Sequence, residues 1–116
     1  MIYLASPYSH PNPAVVQQRF EKTRKVTADL MLRGVPVFSP IVHCHEIANL
    51  YEMPTDAAYW ETYNTAFLRK SDMMYVLTLD GWKESLGVTQ EIGLAKTLRL
   101  TIVKVNERGL TSFEEV

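Results

Sequence analysis

The chain has 116 residues, 47% of them hydrophobic and 22% charged, with a formal net charge of −1. That is enough for one domain with a real core spanning residues 1–116, and the charge balance excludes an electrostatic case for binding duplex DNA or an anionic membrane. No apolar run approaches the ~18 residues of a membrane span. No basic n-region precedes the strand-like MIYLA start, and the one cysteine, Cys44, excludes an internal disulfide, so a cytoplasmic protein without a signal peptide is expected.

Residues 2–5 are a short apolar run that fits a first strand, halted by SPYSHPNP. Three prolines in seven residues forbid helix or central strand, so residues 6–12 are a loop. Asn12 suits an N-cap and Pro13 a first helical position. The amphipathic helix predicted over residues 14–33 carries Val15, Val16, Phe20, Val26 and Leu30 and is closed by Gly34. Residues 35–38 form a second strand stopped by Ser39-Pro40. Residues 41–46 are expected as loop and residues 47–51 as a weak helix, and Pro54-Thr55-Asp56 resets the chain. A helix over residues 57–70 is anchored by Trp60, Tyr63, Phe67 and Leu68. Residues 72–79, apolar on nearly every position after Asp72, suit a parallel strand covered on both faces. A helix over residues 85–99 and a strand over 100–105 follow, then a turn at Arg108-Gly109 and a short extra edge element.

Strands alternating with helices imply a three-layer α/β/α domain with an open parallel sheet, flavodoxin- or Rossmann-like, in strand order 2-1-3-4. Ligands in such sheets bind beyond the carboxyl ends of the strands. The loops over residues 6–12, 39–46 and 80–87 therefore meet above one cleft.

Helical spacing of ~100° per residue puts Val88, Ile92, Leu94, Ala95 and Leu98 on one arc of the helix over residues 85–99. Glu91 falls near the middle of that arc. A carboxylate there must be neutralised, partnered or used, because burying an unpaired charge costs several kcal/mol. Pairing with Arg99 or a lysine is the plain alternative. Ser85 is either an N-cap or, with the free N–H groups of a helix start, an anion site. Asp80 fits sugar hydroxyls or an Asx turn with Gly81. Tyr8 and Trp82 stand on cleft loops, either to stack on a ligand or as a packed lid or subunit contact. In His43-Cys44-His45-Glu46 alternate residues could share a metal, but His10 is the only other histidine and no second cysteine exists, so no metal is expected. His43 or His45 lines the cleft instead. Arg19 and Lys22 read as solvated-face charges.

Three blocks, IYLASPYS at residues 2–9, MMYVLTLDGW at 73–82 and SLGVTQEIGLA at 85–95, resemble the nucleoside 2-deoxyribosyltransferase superfamily. The last is similar to its S/D-x-G-x-x-x-E-x-G-x-A signature, in the version of a small bacterial and phage branch. The resemblance implies that Glu91 is a nucleophile attacking the anomeric carbon, with release of the base and a glycosyl ester as intermediate. It implies a tyrosine near sugar and base at Tyr3. At Ser85 it implies the serine of the nucleoside 5′-monophosphate N-glycosidases rather than the aspartate of the transferases. Phosphate would then be held by Ser85, Ser9 and amides of the first loop, with Gly87, Ser6, Pro7, Tyr8, Asp80, Trp82 and His43 completing the substrate site. One position departs: the family's aspartate on the helix before strand 3 is Asn64, which can only hydrogen-bond. Glu61 stands one turn earlier. The expected function is hydrolysis of (deoxy)nucleoside 5′-monophosphates without cofactor. The alternatives are base exchange between nucleosides and nucleotide binding without turnover. The implied partners are a small nucleotide and further copies of the chain in a homodimer or larger homo-oligomer, with no nucleic-acid polymer and no membrane.

Overall fold

The structure is a computed structural model and describes residues 1–54, 57–114 and 116. In chain order it holds β1 (Ile2–Ala5), α1 (Pro13–Leu32), β2 (Val37–Phe38), α2 (Pro40–Leu50), α3 (Ala57–Arg69), β3 (Met73–Leu77), α4 (Leu86–Thr97), β4 (Thr101–Val105) and β5 (Thr111–Ser112). The strands form one sheet in the order β2-β1-β3-β4-β5, parallel except for β5, which pairs antiparallel with β4 and supplies the expected edge element. The α/β Rossmann-like architecture follows the strand–helix alternation. Of the chain reset expected at Pro54-Thr55-Asp56, Thr55 and Asp56 lie outside the described residues.

Side chains alternate across the sheet with the period of two that strands impose. Leu4, Leu77 and Val105 point to one face, where Val26 and Leu30 of α1 cover them. Tyr3, Ala5, Met74 and Val76 point to the other, under Leu68 of α3 and Val88 and Ala95 of α4. A strand buried on both faces must be apolar on both, which explains the unbroken run in β3.

Helix ends are set by local chemistry. Asn12 caps α1 by accepting from the Ala14 amide, with Pro13 at the first position. At its far end the Val35 N–H donates to Leu30 O and the Gly34 N–H to Met31 O, a Schellman closure with Gly34 at φ +80°. Val35 is thereby taken from the second strand and Pro36 has no N–H to give, so β2 is two residues rather than four. Helix α4 closes in the same way through Leu100 N–H to Ala95 O and Arg99 N–H to Lys96 O, but here Arg99 occupies the left-handed position at φ +59°.

The expected loop over residues 41–46 is a correction. These residues belong to α2, which Ser39 caps by accepting from the Val42 amide, with Pro40 in the first turn. Ser39-Pro40 ends a strand and begins a helix in one step.

Candidate active site

Val88 and Ala95 of α4 are buried against the sheet, and Glu91 lies three residues after one and four before the other. Helical geometry therefore turns Glu91 to the same face. Tyr3, wholly buried in β1, meets it there, and its hydroxyl donates to Glu91 Oε2. Glu91 stays half-buried rather than closed off. Desolvation pushes its carboxyl up from the ordinary 4.5 to about 7, against the hydrogen bond from Tyr3, which pulls it down. Burial first, and the Glu91 charge second, raise the Tyr3 phenol well above its ordinary value. The shared proton therefore rests on Tyr3, which is a fixed donor to a carboxylate that is about half-ionised near neutrality. Pairing of Glu91 with Arg99 or a lysine is not what the structure shows.

Two further polar atoms are buried without a partner. Ser6 Oγ and Asn64 Oδ1 are both buried without a hydrogen bond among the described residues. An unsatisfied buried polar atom costs roughly 1–3 kcal/mol, so native folds seldom leave one without a use. Ser6 follows β1 directly, and Pro7 beside it is also buried. Asn64 precedes the buried Leu68 by one helical turn, which puts it on the inner face of α3 and nearer the carboxyl edge of the sheet. Glu61 is exposed.

Ser85 is the N-cap of α4: its Oγ accepts from the Val88 amide at 3.2 Å. The hydroxyl proton is not consumed by that bond. Gly87 lies in the first turn, exposed, and a Cβ there would meet only Ser85 Oγ at 3.9 Å, so bulk does not dictate glycine.

Helix α2 borders the same edge. Its buried His45 stacks on Phe20 at 3.8 Å between centroids and sits 2.6 Å (Nδ1) from the Tyr8 hydroxyl. Burial, with the Arg24 charge adding and Glu46 opposing, lowers the His45 pKa and favours the neutral ring. Cys44, whose thiol is raised by burial, adjoins both Tyr3 and Tyr8 closely enough to raise each phenol. His43 is exposed instead, with its Nε2 3.2 Å from the Tyr63 hydroxyl in an aromatic face that includes Phe38 and Phe67. Of the two histidines it is thus His45 that the fold commits. Its burial and its bond to Tyr8 depend on α2, formed where the sequence predicts a loop. Among the described residues no three His, Cys, Asp or Glu side chains are grouped to hold a metal ion.

Residues 1–107 match a family described as a domain of unknown function, DUF1937. The chain is a DUF1937 protein. No curated protein matches it.

Other expected site residues of this DUF1937 chain line two grooves. Trp82 is half-buried, flanked by Lys83 and Lys104 at 5.6 Å each, and faces a groove of about 590 Å3 with Thr89 and Lys96 on the β4 side of α4. Its ring packs on the sheet core, with the two lysines over it. Asp80 lines a smaller groove of about 280 Å3 with His10, Arg19 and Lys22, on the α1 side. Neither groove is lined by Tyr3 or Glu91. Asp80 and Ser9 contribute backbone carbonyls rather than side chains: Arg19 Nη1 donates to Ser9 O at 2.8 Å and Nη2 to Asp80 O at 3.1 Å. Arg19 is therefore not a solvated charge. It clasps the loops that follow β1 and β3, and Gly81 at φ +87° makes room, since a Cβ there would lie 2.5 Å from Arg19 Nη2. Lys22 pairs with Glu107 at 3.1 Å.

Proposed function

We propose that this protein hydrolyses the N-glycosidic bond of nucleoside 5′-monophosphates, deoxynucleotides foremost, with Glu91 as nucleophile. The observation that carries this is the desolvated carboxylate of Glu91 held by the buried Tyr3 donor at the carboxyl edge of the sheet. A carboxylate poised near neutrality can stabilise an oxocarbenium-like transition state and then bond to it. In the first step a Glu91 oxygen bonds to C1′, the C1′–N bond breaks and its electron pair leaves with the base. In the second, water attacks C1′, the C1′–O bond to Glu91 breaks to restore the carboxylate and free the sugar phosphate, and the proton that water sheds passes to solvent, which replaces the one the departing base takes up. Tyr3 keeps Glu91 oriented, while Ser6 and Asn64 offer their unpartnered atoms to sugar hydroxyls. The hydroxyl proton of Ser85 and the free N–H groups at the start of α4, Gly87 among them, suit a phosphate. That same free hydroxyl favours a nucleotide over the free nucleosides of a base-exchange reaction. The setting proposed is a cytoplasmic homo-oligomer. Among the described residues no helix is long and apolar enough to cross a membrane.

The test is release of free base from a panel of ribo- and deoxynucleoside 5′-monophosphates, followed by chromatography, with Glu91→Gln as control. Base from the wild type and none from the variant is the expected result. If nucleotides raise the melting temperature yet release no base, the chain is a nucleotide-binding module instead. If base exchange between free nucleosides outruns hydrolysis, it is a transferase.

A further inference from the structure

The buried imidazole of His45 takes no part in the steps above, yet the fold secures it on three sides. It stacks on Phe20, Asn49 Nδ2 lies 3.3 Å from its Nε2, and the Tyr8 hydroxyl lies 2.6 Å from its Nδ1. An amide NH2 group can only donate, so Nε2 is the accepting nitrogen and the proton of the neutral ring sits on Nδ1. Nδ1–H then donates to the Tyr8 oxygen. With that position of the oxygen taken, the phenol's own hydrogen must point elsewhere, and it has no acceptor among the described residues. Tyr8 is half-buried and belongs to the loop that contains the unpartnered Ser6 hydroxyl. That loop leaves the carboxyl end of β1, the strand that carries Tyr3. The chain Asn49–His45–Tyr8 thus ends in a directed O–H donor beside the edge where Glu91 stands.

We propose that Tyr8 is a second catalytic residue, donating a hydrogen bond to the departing base, and that His45 and Asn49 are positioning residues that aim it. This rests on the glycosidase function and deepens it. When the C1′–N bond breaks, its electron pair collects on the base, and a donor is needed on that side. Glu91 is an acceptor; at Asn64 the buried atom without a partner is the oxygen, and no hydrogen bond among the described residues orients its NH2 group. The Ser6 hydroxyl is a free rotor without orientation. Tyr8 alone has its hydrogen turned outward by a hydrogen-bond chain. The base takes its proton from solvent water as it leaves, and Tyr8 keeps its own. A preorganised donor aimed at developing charge contributes on the order of 100-fold in rate.

The experiment compares two substrates. From 2′-deoxyguanosine 5′-monophosphate the base leaves with developing negative charge. From its 7-methyl derivative it leaves as a neutral molecule and needs no donor. Tyr8→Phe is expected to lose about 100-fold in kcat with the first and to stay within about threefold of wild type with the second. Glu91→Gln loses both. His45→Leu should show the same selective loss, and His45→Asn, whose amide N–H stands near the place of Nδ1–H, should recover part of it. Equal losses on both substrates, or an unaffected Tyr8→Phe, overturn the role of Tyr8 while leaving the glycosidase intact. A wild-type chain that releases base from neither substrate refutes the glycosidase and the role of Tyr8 with it.

Discussion

Replacing Glu91 by glutamine is expected to stabilise the protein in mild alkali and to change little in acid. Glutamine has the same shape and still offers an oxygen to the Tyr3 hydroxyl, so the perturbation is confined to the charge. In the native fold burial raises the carboxyl from the ordinary 4.5 to about 7. The folded state therefore holds the proton more tightly than the unfolded chain does. The stability Glu91 contributes is fully present below pH 4.5 and is lost as the pH rises through about 7, where an anion must be kept desolvated. At 1.36 kcal/mol for each tenfold change in proton affinity, the loss over that window is about 3 kcal/mol. Glutamine carries no such penalty. Urea unfolding of both proteins near pH 5 and near pH 8 measures it, and the glutamine variant should gain roughly 2 to 3 kcal/mol on wild type between the two conditions. A difference that is the same at both pH values would falsify the desolvated placement of Glu91. The variant that unfolds last should also be the one that releases no base.

Tyr3→Phe removes the donor that holds the Glu91 carboxyl down, so for the proposed hydrolysis the acid limb of the pH–rate profile, expected near 7, should move to higher pH; an unmoved limb would separate the two residues. Arg19→Ala and Gly81→Ala should each cost about 1–2 kcal/mol, the first by freeing two loop carbonyls and the second through positive φ and a collision with Arg19. In a double-mutant cycle Gly81→Ala should cost less once Arg19 is gone, and strict additivity would deny the clasp. Arg99→Gly should stabilise by about 1 kcal/mol, raising the melting temperature by a few degrees, because Arg99 holds a left-handed closure that glycine adopts freely.

The parallel core and its order were legible because the pattern is redundant: apolar runs of strand length alternate with helical spacing, and right-handed crossovers leave few arrangements. Glu91 was legible for the same reason, since a charge at the centre of an apolar arc is conspicuous. Helix α2 was not. Its residues 41–46 mix aliphatic, imidazole and thiol side chains without a clear period. Ser39-Pro40 after an apolar run reads as a strand stop, yet it is the same cap-and-proline pairing that starts α1 at Asn12-Pro13. Without the helix the sequence offers His43 and His45 alike, and only the face that α2 turns inward separates the buried His45 from the exposed His43. Arg19 was missed for another reason. Its partners are the backbone carbonyls of Ser9 and Asp80, and no periodicity of side chains announces a bond to a main-chain oxygen.

The two margins of the sheet, β2 and β5, are two residues long each. A strand seeking to add itself to either side finds scarcely one repeat of open donors and acceptors, and beside β2 stands Pro36, which has no N–H to offer. Fibre growth by strand addition is thereby denied a template at both ends. Helices and loops, not strands, make up the rest of the surface, and they carry the aromatic face at His43 and Tyr63. The sheet supplies the frame for the Tyr3–Glu91 pair and has nowhere to grow.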